Sequence, residues 1–128
     1  MSGQSTVFHL AGRTIAEMDQ ELLAFLKAKV NTFIKWDLVR FFHENPHTSD
    51  TAENIARYAG REATAIAAEL ADLAESGILV SHPLGNLPIY SLTGDARTLD
   101  LIARFVAACD DRQFRVAAIH YIIRSNKR

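Results

Sequence analysis

The sequence has little cysteine, proline or glycine. Of 128 residues, one is cysteine (Cys109), three are proline, six are glycine and one is tryptophan. A single thiol excludes an intramolecular disulfide framework and any zinc site built from several cysteines. Uninterrupted apolar stretches are short, so no segment is suited to cross a bilayer as a helix. The opening MSGQSTVFHLAGR lacks the charged leader and long apolar segment of a secretory signal, which makes the cytoplasm the expected compartment. Neither sign of charge prevails: 14 Lys and Arg face 15 Asp and Glu, a net charge of −1, so the whole chain carries no general pull towards nucleic acid. What the chain does have is core material. Apolar residues make up 48% and charged residues 23%, the balance of a globular protein, and the length fits one domain.

Residues 1–13 are polar and aperiodic, and read as a flexible arm. Thr14-Ile15-Ala16-Glu17 has the form of a capping box. Ile15, Met18, Leu22, Phe25 and Leu26 then recur with helical spacing, giving a helix that ends near Lys29. A second helix is expected over 32–44. Phe33, Ile34, Trp36, Leu38, Val39, Phe41 and Phe42 make it apolar around much of its circumference, and Asn45-Pro46 stops it. Residues 47–77 read as helix, turn, helix. Asp50 or Thr51 caps the first helix, Gly60 closes it, and a second, alanine-rich helix runs from about Glu62 to Ser76. The period then changes. Residues 78–82 and 87–92 read as two strands joined by a turn at 83–86, with Pro88 suited to an edge or to the mouth of the hairpin. The remainder, 95–125, is helical, with Asp110-Asp111-Arg112-Gln113 dividing it into two helices. The fold class is mainly α with a small β-hairpin.

Helix, helix, turn, helix and a two-stranded hairpin is the order of a winged helix-turn-helix domain. Thr51-Ala52-Glu53-Asn54-Ile55-Ala56 is similar to that motif's opening helix. The run from Leu70 to Val80 resembles its recognition helix passing into the wing, and Ile89-Tyr90-Ser91-Leu92-Thr93 the returning wing strand. The resemblance covers about residues 32–93. It is to the bacterial repressor superfamily that includes the arsenic-repressor, multiple-antibiotic-resistance and phenolic-acid-repressor families. It implies a DNA-binding transcriptional regulator in which the 62–76 helix enters the major groove. Matched by position, the resemblance puts Arg61, Thr64, Ala65, Ala68 and Glu69 on the recognition face, Thr51 and Arg57 on phosphates, and His82, Leu84, Gly85 and Asn86 at the wing tip. The family's metal-sensing cysteine pairs are absent.

Charge is distributed against that expectation. Residues 1–46 balance at 0, residues 93–128 carry +3, and residues 47–92 carry two basic side chains, Arg57 and Arg61, against six acidic ones, a balance of −4. Phosphate neutralisation supplies most non-specific DNA affinity, and the wing here has no lysine or arginine. Two readings therefore stand: a dimeric DNA-binding regulator, or a winged helix used as a protein-interaction module without DNA. The flanking helices at 14–29 and 95–125 carry apolar stripes that suggest a homodimer interface through Leu22, Phe25, Leu26, Phe114, Tyr121 and Ile122.

The remaining chemistry-bearing residues have plainer readings. His43 and His47 are separated by Pro46 and cannot share a helix face, and no third ligand accompanies them, so no metal is expected. His120, within an apolar stretch, suits a hydrogen-bonded core or interface position. Cys109 continues an apolar stripe and reads as a buried small hydrophobe. Trp36 with Phe33, Phe41 and Phe42 reads as core, with an effector pocket for a small molecule as the alternative. No nucleophile–base arrangement or phosphate-binding loop stands out. The chain is read as a non-enzyme without a cofactor, with double-stranded DNA or a protein as partner.

Overall fold

A computed structural model describes the backbone of residues 9–10 and 13–126, and the side chains of residues 20–126. The expected arm therefore lies largely outside the described residues, as do the Thr14 capping box and the side chains of Ile15 and Met18. Within the arm's span the backbone forms two short strands, β1 (His9–Leu10) and β2 (Arg13–Thr14), paired antiparallel with Leu10 opposite Arg13.

Helix α1 (Ile15–Lys29) leads through Asn31 to α2 (Phe33–Glu44). Thr32 caps α2, its hydroxyl accepting from the Lys35 N–H at 3.0 Å. Asn45 ends the helix, with its backbone N–H and side-chain amide both donating to the Phe41 carbonyl, before Pro46 turns the chain. Strand β3 (Ser49–Asp50) follows, a pair of residues too short to be legible in the sequence. Helix α3 (Ala52–Ala59) begins at Thr51, whose hydroxyl accepts from Asn54, and stops at Gly60. Gly60 adopts φ +71°, a left-handed conformation that costs an L side chain, while the Arg61 N–H reaches back to the Ala56 carbonyl at 2.8 Å. Helix α4 (Ala63–Glu75) comes next, then the wing, β4 (Leu79–Leu84) and β5 (Leu87–Leu92). The last two helices, α5 (Ala96–Ala108) and α6 (Arg112–Ser125), are separate. Asp111 caps α6 by accepting from the Phe114 N–H at 3.0 Å.

The wing is longer than the sequence suggests. Pro83 and Leu84 belong to β4 rather than to the turn, which shrinks to Gly85-Asn86 between the paired Leu84 and Leu87. Gly85 takes φ +61°, the conformation a tight two-residue hairpin demands. Pro83 sits opposite Pro88. Next to a two-residue turn this is a pair that exchanges no backbone hydrogen bonds, so neither missing N–H is felt. The sheet has three strands in the order β3-β5-β4, all antiparallel, with Ser49 opposite Ser91 and Asp50 opposite Tyr90. Pro88 lies beyond the reach of β3, so β5 has no second neighbour there.

One apolar core holds these elements together. Phe105 of α5 is fully buried at its centre. Its ring meets Phe25, Trp36 and Phe114 edge-on at centroid distances of 5.7, 5.6 and 6.0 Å. Leu26, Leu38, Ile55, Ile66, Leu70, Leu73 and Ile78 are buried around it, so the helix-turn-helix and the flanking helices share one interior. The fold is mainly α with a small antiparallel sheet in a winged-helix arrangement. Phe33, expected in the core, is 44% exposed and stacks on the outer side of Trp36 at 6.3 Å. Cys109 is buried, and burial pushes its thiol up to about 11, which makes it an inert core residue.

Candidate functional site

The α4 helix offers two unlike faces because its apolar residues are of two sizes. Ile66, Leu70 and Leu73 carry the volume and are buried. The positions between them hold Thr64, Ala65, Ala67, Ala68 and Ala71, all exposed. They form an outer face on which no side chain is larger than threonine up to Ala71, with the exposed carboxylates of Asp72 and Glu75 following at its C-terminal end, so another molecule can come close to the backbone in the first half of the helix. Glu62 stands at the N-cap without a side-chain bond to the first turn.

The expected site residues divide by their surroundings. Thr64, Ala65 and Ala68 lie on the outer face. Glu69 does not. It is half-buried against the start of α2, where its carboxylate accepts from the Thr32 hydroxyl at 3.3 Å and lies 3.6 Å from the Lys35 ammonium. Its place on a recognition face is corrected: Glu69 joins α4 to α2. Lys35, only 9% exposed, also meets Asp72 at 3.2 Å and donates to Asn31 at 3.1 Å. Lys35 thus serves the α2–α4 contact and is spent as a cation.

Thr51 is occupied as the α3 cap. Asp50, just before it, is a hub that the sequence suggested only as an alternative cap. It accepts from the Thr51 N–H and the Asn54 amide, both at 2.8 Å, and from the Tyr58 hydroxyl at 3.2 Å. The Asn54 bond, then the Thr51 bond, hold its carboxyl below the usual carboxylate range. Asn54 in turn accepts from Arg57 at 3.1 Å. Arg57 is exposed and held near the start of its own helix. Arg61, in the turn before α4, is ion-paired with Asp37 of α2. Spacing cannot show that pairing, since 24 residues separate the two. Tyr58, stacked on Phe41 at 6.4 Å and exposed, is a surface aromatic that the sequence reading passed over.

The wing tip holds no Lys, Arg, Asp or Glu. His82, Pro83, Gly85, Asn86 and Pro88 are all exposed, and the leucines at the turn, Leu84 and Leu87, are 61% and 57% exposed.

Five of the six residues expected at a dimer interface are core residues instead. Leu22, Phe25, Leu26, Phe114 and Ile122 are buried within the single chain. Their stripes pack α1, α5 and α6 on one another, so only Tyr121, half-buried, retains surface. His120, expected in the core or at an interface, is exposed on α6. His43 and His47 are also exposed, and no cluster of three His, Cys, Asp or Glu side chains suited to a metal occurs among the described residues. Trp36 sits in the packed core. No described helix is long and apolar enough to cross a membrane.

No protein-family model matches the chain, and no curated protein matches it. Among solved structures, one described as a possible transcriptional regulator from Methanosarcina mazei Go1 is similar. It is 16% identical, with 85% of this chain and 92% of that chain covered and a TM-score of 0.46.

Proposed function

We propose that the chain is a winged-helix transcriptional regulator that presents α4 to the major groove of DNA, of the kind found in the arsenic-repressor, multiple-antibiotic-resistance and phenolic-acid-repressor families. The observation that carries this reading is the outer face of α4. Thr64, Ala65, Ala67, Ala68 and Ala71 are all exposed, and acidic side chains join that side only at its end, with Asp72 and Glu75. Short side chains let a helix sit deep in the groove, where Thr64 can hydrogen-bond a base edge and Ala65 and Ala68 can meet thymine methyls. On this reading Arg57 of α3 and Arg61 of the turn before α4 serve as phosphate contacts, Arg61 exchanging Asp37 for a phosphate.

The experiment is fluorescence anisotropy of a labelled mixed-sequence duplex over a range of salt. With two arginines on phosphate, log K should fall with log salt at a slope of about −1.8 per protein chain. Arg61→Ala should halve that slope for every sequence, whereas Thr64→Ala should change which sequence is preferred. No binding at about 50 μM protein in low salt would end the DNA reading, since that is within the ordinary non-specific range.

A second reading is favoured by the wing. A tip without Lys, Arg, Asp or Glu and with Leu84 and Leu87 exposed, on a segment at −4, suits a protein surface better than a phosphate backbone. On that reading α4 and the wing dock a partner protein. The same titration separates the two, because only the first gives a salt-dependent duplex complex.

A further inference from the structure

A different face of the molecule carries cations that no carboxylate among the described residues pairs with. Helices α1 and α6 lie side by side and enclose an open groove of about 640 Å³. Leu23, Ala117 and the ring of Tyr121 give it an apolar floor, and Lys27, His120 and Arg124 stand along its edge. The Lys27 ammonium lies over the Tyr121 ring, 5.4 Å from its centroid. Among the described residues neither Lys27 nor Arg124 has a carboxylate within ion-pair distance, and no acidic side chain lines the groove. A second hollow continues along α6 through Arg112 and Val116, sharing Ala117 and His120 with the first. The strip thus runs the 14 residues of α6, about 21 Å at 1.5 Å per residue. Val116 and Ile123 add exposed apolar surface at 45% and 50%.

We propose that the α1–α6 groove docks an acidic amphipathic helix of a partner protein, its leucine-like face on Leu23, Ala117 and Tyr121 and its carboxylates on Lys27, Arg124 and Arg112. Length and pattern select this occupant. A strip of about four helical turns, apolar along the middle and cationic along the rim, is the complement of a helix with an apolar stripe between acidic flanks. A second copy of the chain is a poor complement: a two-fold contact sets the same face against itself and brings cation against cation. The chain's first twelve residues contain no Asp or Glu and supply no counter-charge. The surface is separate from α4 and the wing, so the inference does not depend on what those contact.

The test uses the full chain and a fluorescein-labelled helical peptide of about 14 residues, with leucines at helical spacing between glutamates, beside a scrambled peptide of the same composition. The expected result is saturable one-to-one binding of the amphipathic peptide only, weakening as salt rises. The Lys27→Glu, Arg124→Glu double variant should weaken it by about tenfold. Ala117→Arg, which fills the floor while adding positive charge, should weaken it at least as much. These side chains are exposed, so thermal unfolding of each variant should match the parent. Should a variant fail to fold, the salt dependence and the scrambled control on the unaltered chain still decide. Equal binding of the scrambled peptide, salt-independent binding, or folded variants that bind as the parent does would overturn the proposal. So would a concentration-dependent dimer that Ala117→Arg abolishes, since the groove would then belong to a second copy.

Discussion

Asp37 restrains one of the two arginines on which the DNA reading depends, and its removal has a calculable effect. Arg61 sits in the turn before α4 with its guanidinium paired to Asp37 of α2. The pair is a surface one, with the side chains 36% and 48% exposed, so it contributes at most about 1 kcal/mol to stability and Asp37→Asn leaves a folded protein. On the DNA reading, the substitution spares the guanidinium its partner and removes a negative charge beside it. Arg61 meets a phosphate in both proteins, so the salt slope stays at about −1.8, while an ion pair of at most about 1 kcal/mol no longer has to be broken on binding, a gain of up to about fivefold in affinity. The assay is anisotropy of a mixed duplex from low to moderate salt on four proteins: the parent, Asp37→Asn, Arg61→Ala and the double variant. Asp37→Asn should bind more tightly with the slope of the parent. Arg61→Ala should be shallower than the parent, and the double variant should follow Arg61→Ala, because Asp37 acts only through Arg61. A bound duplex whose slope Arg61→Ala leaves unchanged would refute the role given to Arg61. A duplex that no protein in the set binds would refute the DNA reading itself.

Three further outcomes test the fold that positions the site. Phe105→Ala removes the ring at the meeting point of Phe25, Trp36 and Phe114 and should cost about 3–5 kcal/mol in urea unfolding. Gly60→Ala should cost about 1–2 kcal/mol through its left-handed φ of 71° alone, since an added Cβ meets nothing within 4 Å; Gly60→Asn should cost less. Asp50→Asn should lower stability at neutral pH. The folded carboxyl lies below its ordinary 3.8, so its contribution is complete above 3.8 and is lost as pH falls through the folded value. Parent and variant melting temperatures should therefore converge in acid.

Much of the fold was legible because size and period agree. The spacing of Ile66, Leu70 and Leu73 gives α4 a buried side, the Gly60 stop marks the turn, and the Asp111 cap divides α5 from α6. β3 was not legible: two residues carry no period, and it exists only because Ser91 and Tyr90 lie opposite. The wing was read short because proline suggests a turn, whereas two prolines facing each other at a pair without hydrogen bonds are compatible with strand. The flanking stripes were assigned to a second molecule because sequence shows that a face is apolar, not which apolar face it meets. The candidate site was half legible. Which α4 residues are small follows from the sequence. That Glu69 turns inward to Lys35 and that Arg61 is held by Asp37 are contacts across 34 and 24 positions, fixed by how the helices cross.

β3 is short, but it makes the wing and α3 one mechanical piece. Its second residue pairs with Tyr90 on β5, and the next residue in the chain is the threonine that starts α3. A load applied at the leucine tip travels down the ribbon and arrives at the foot of that helix.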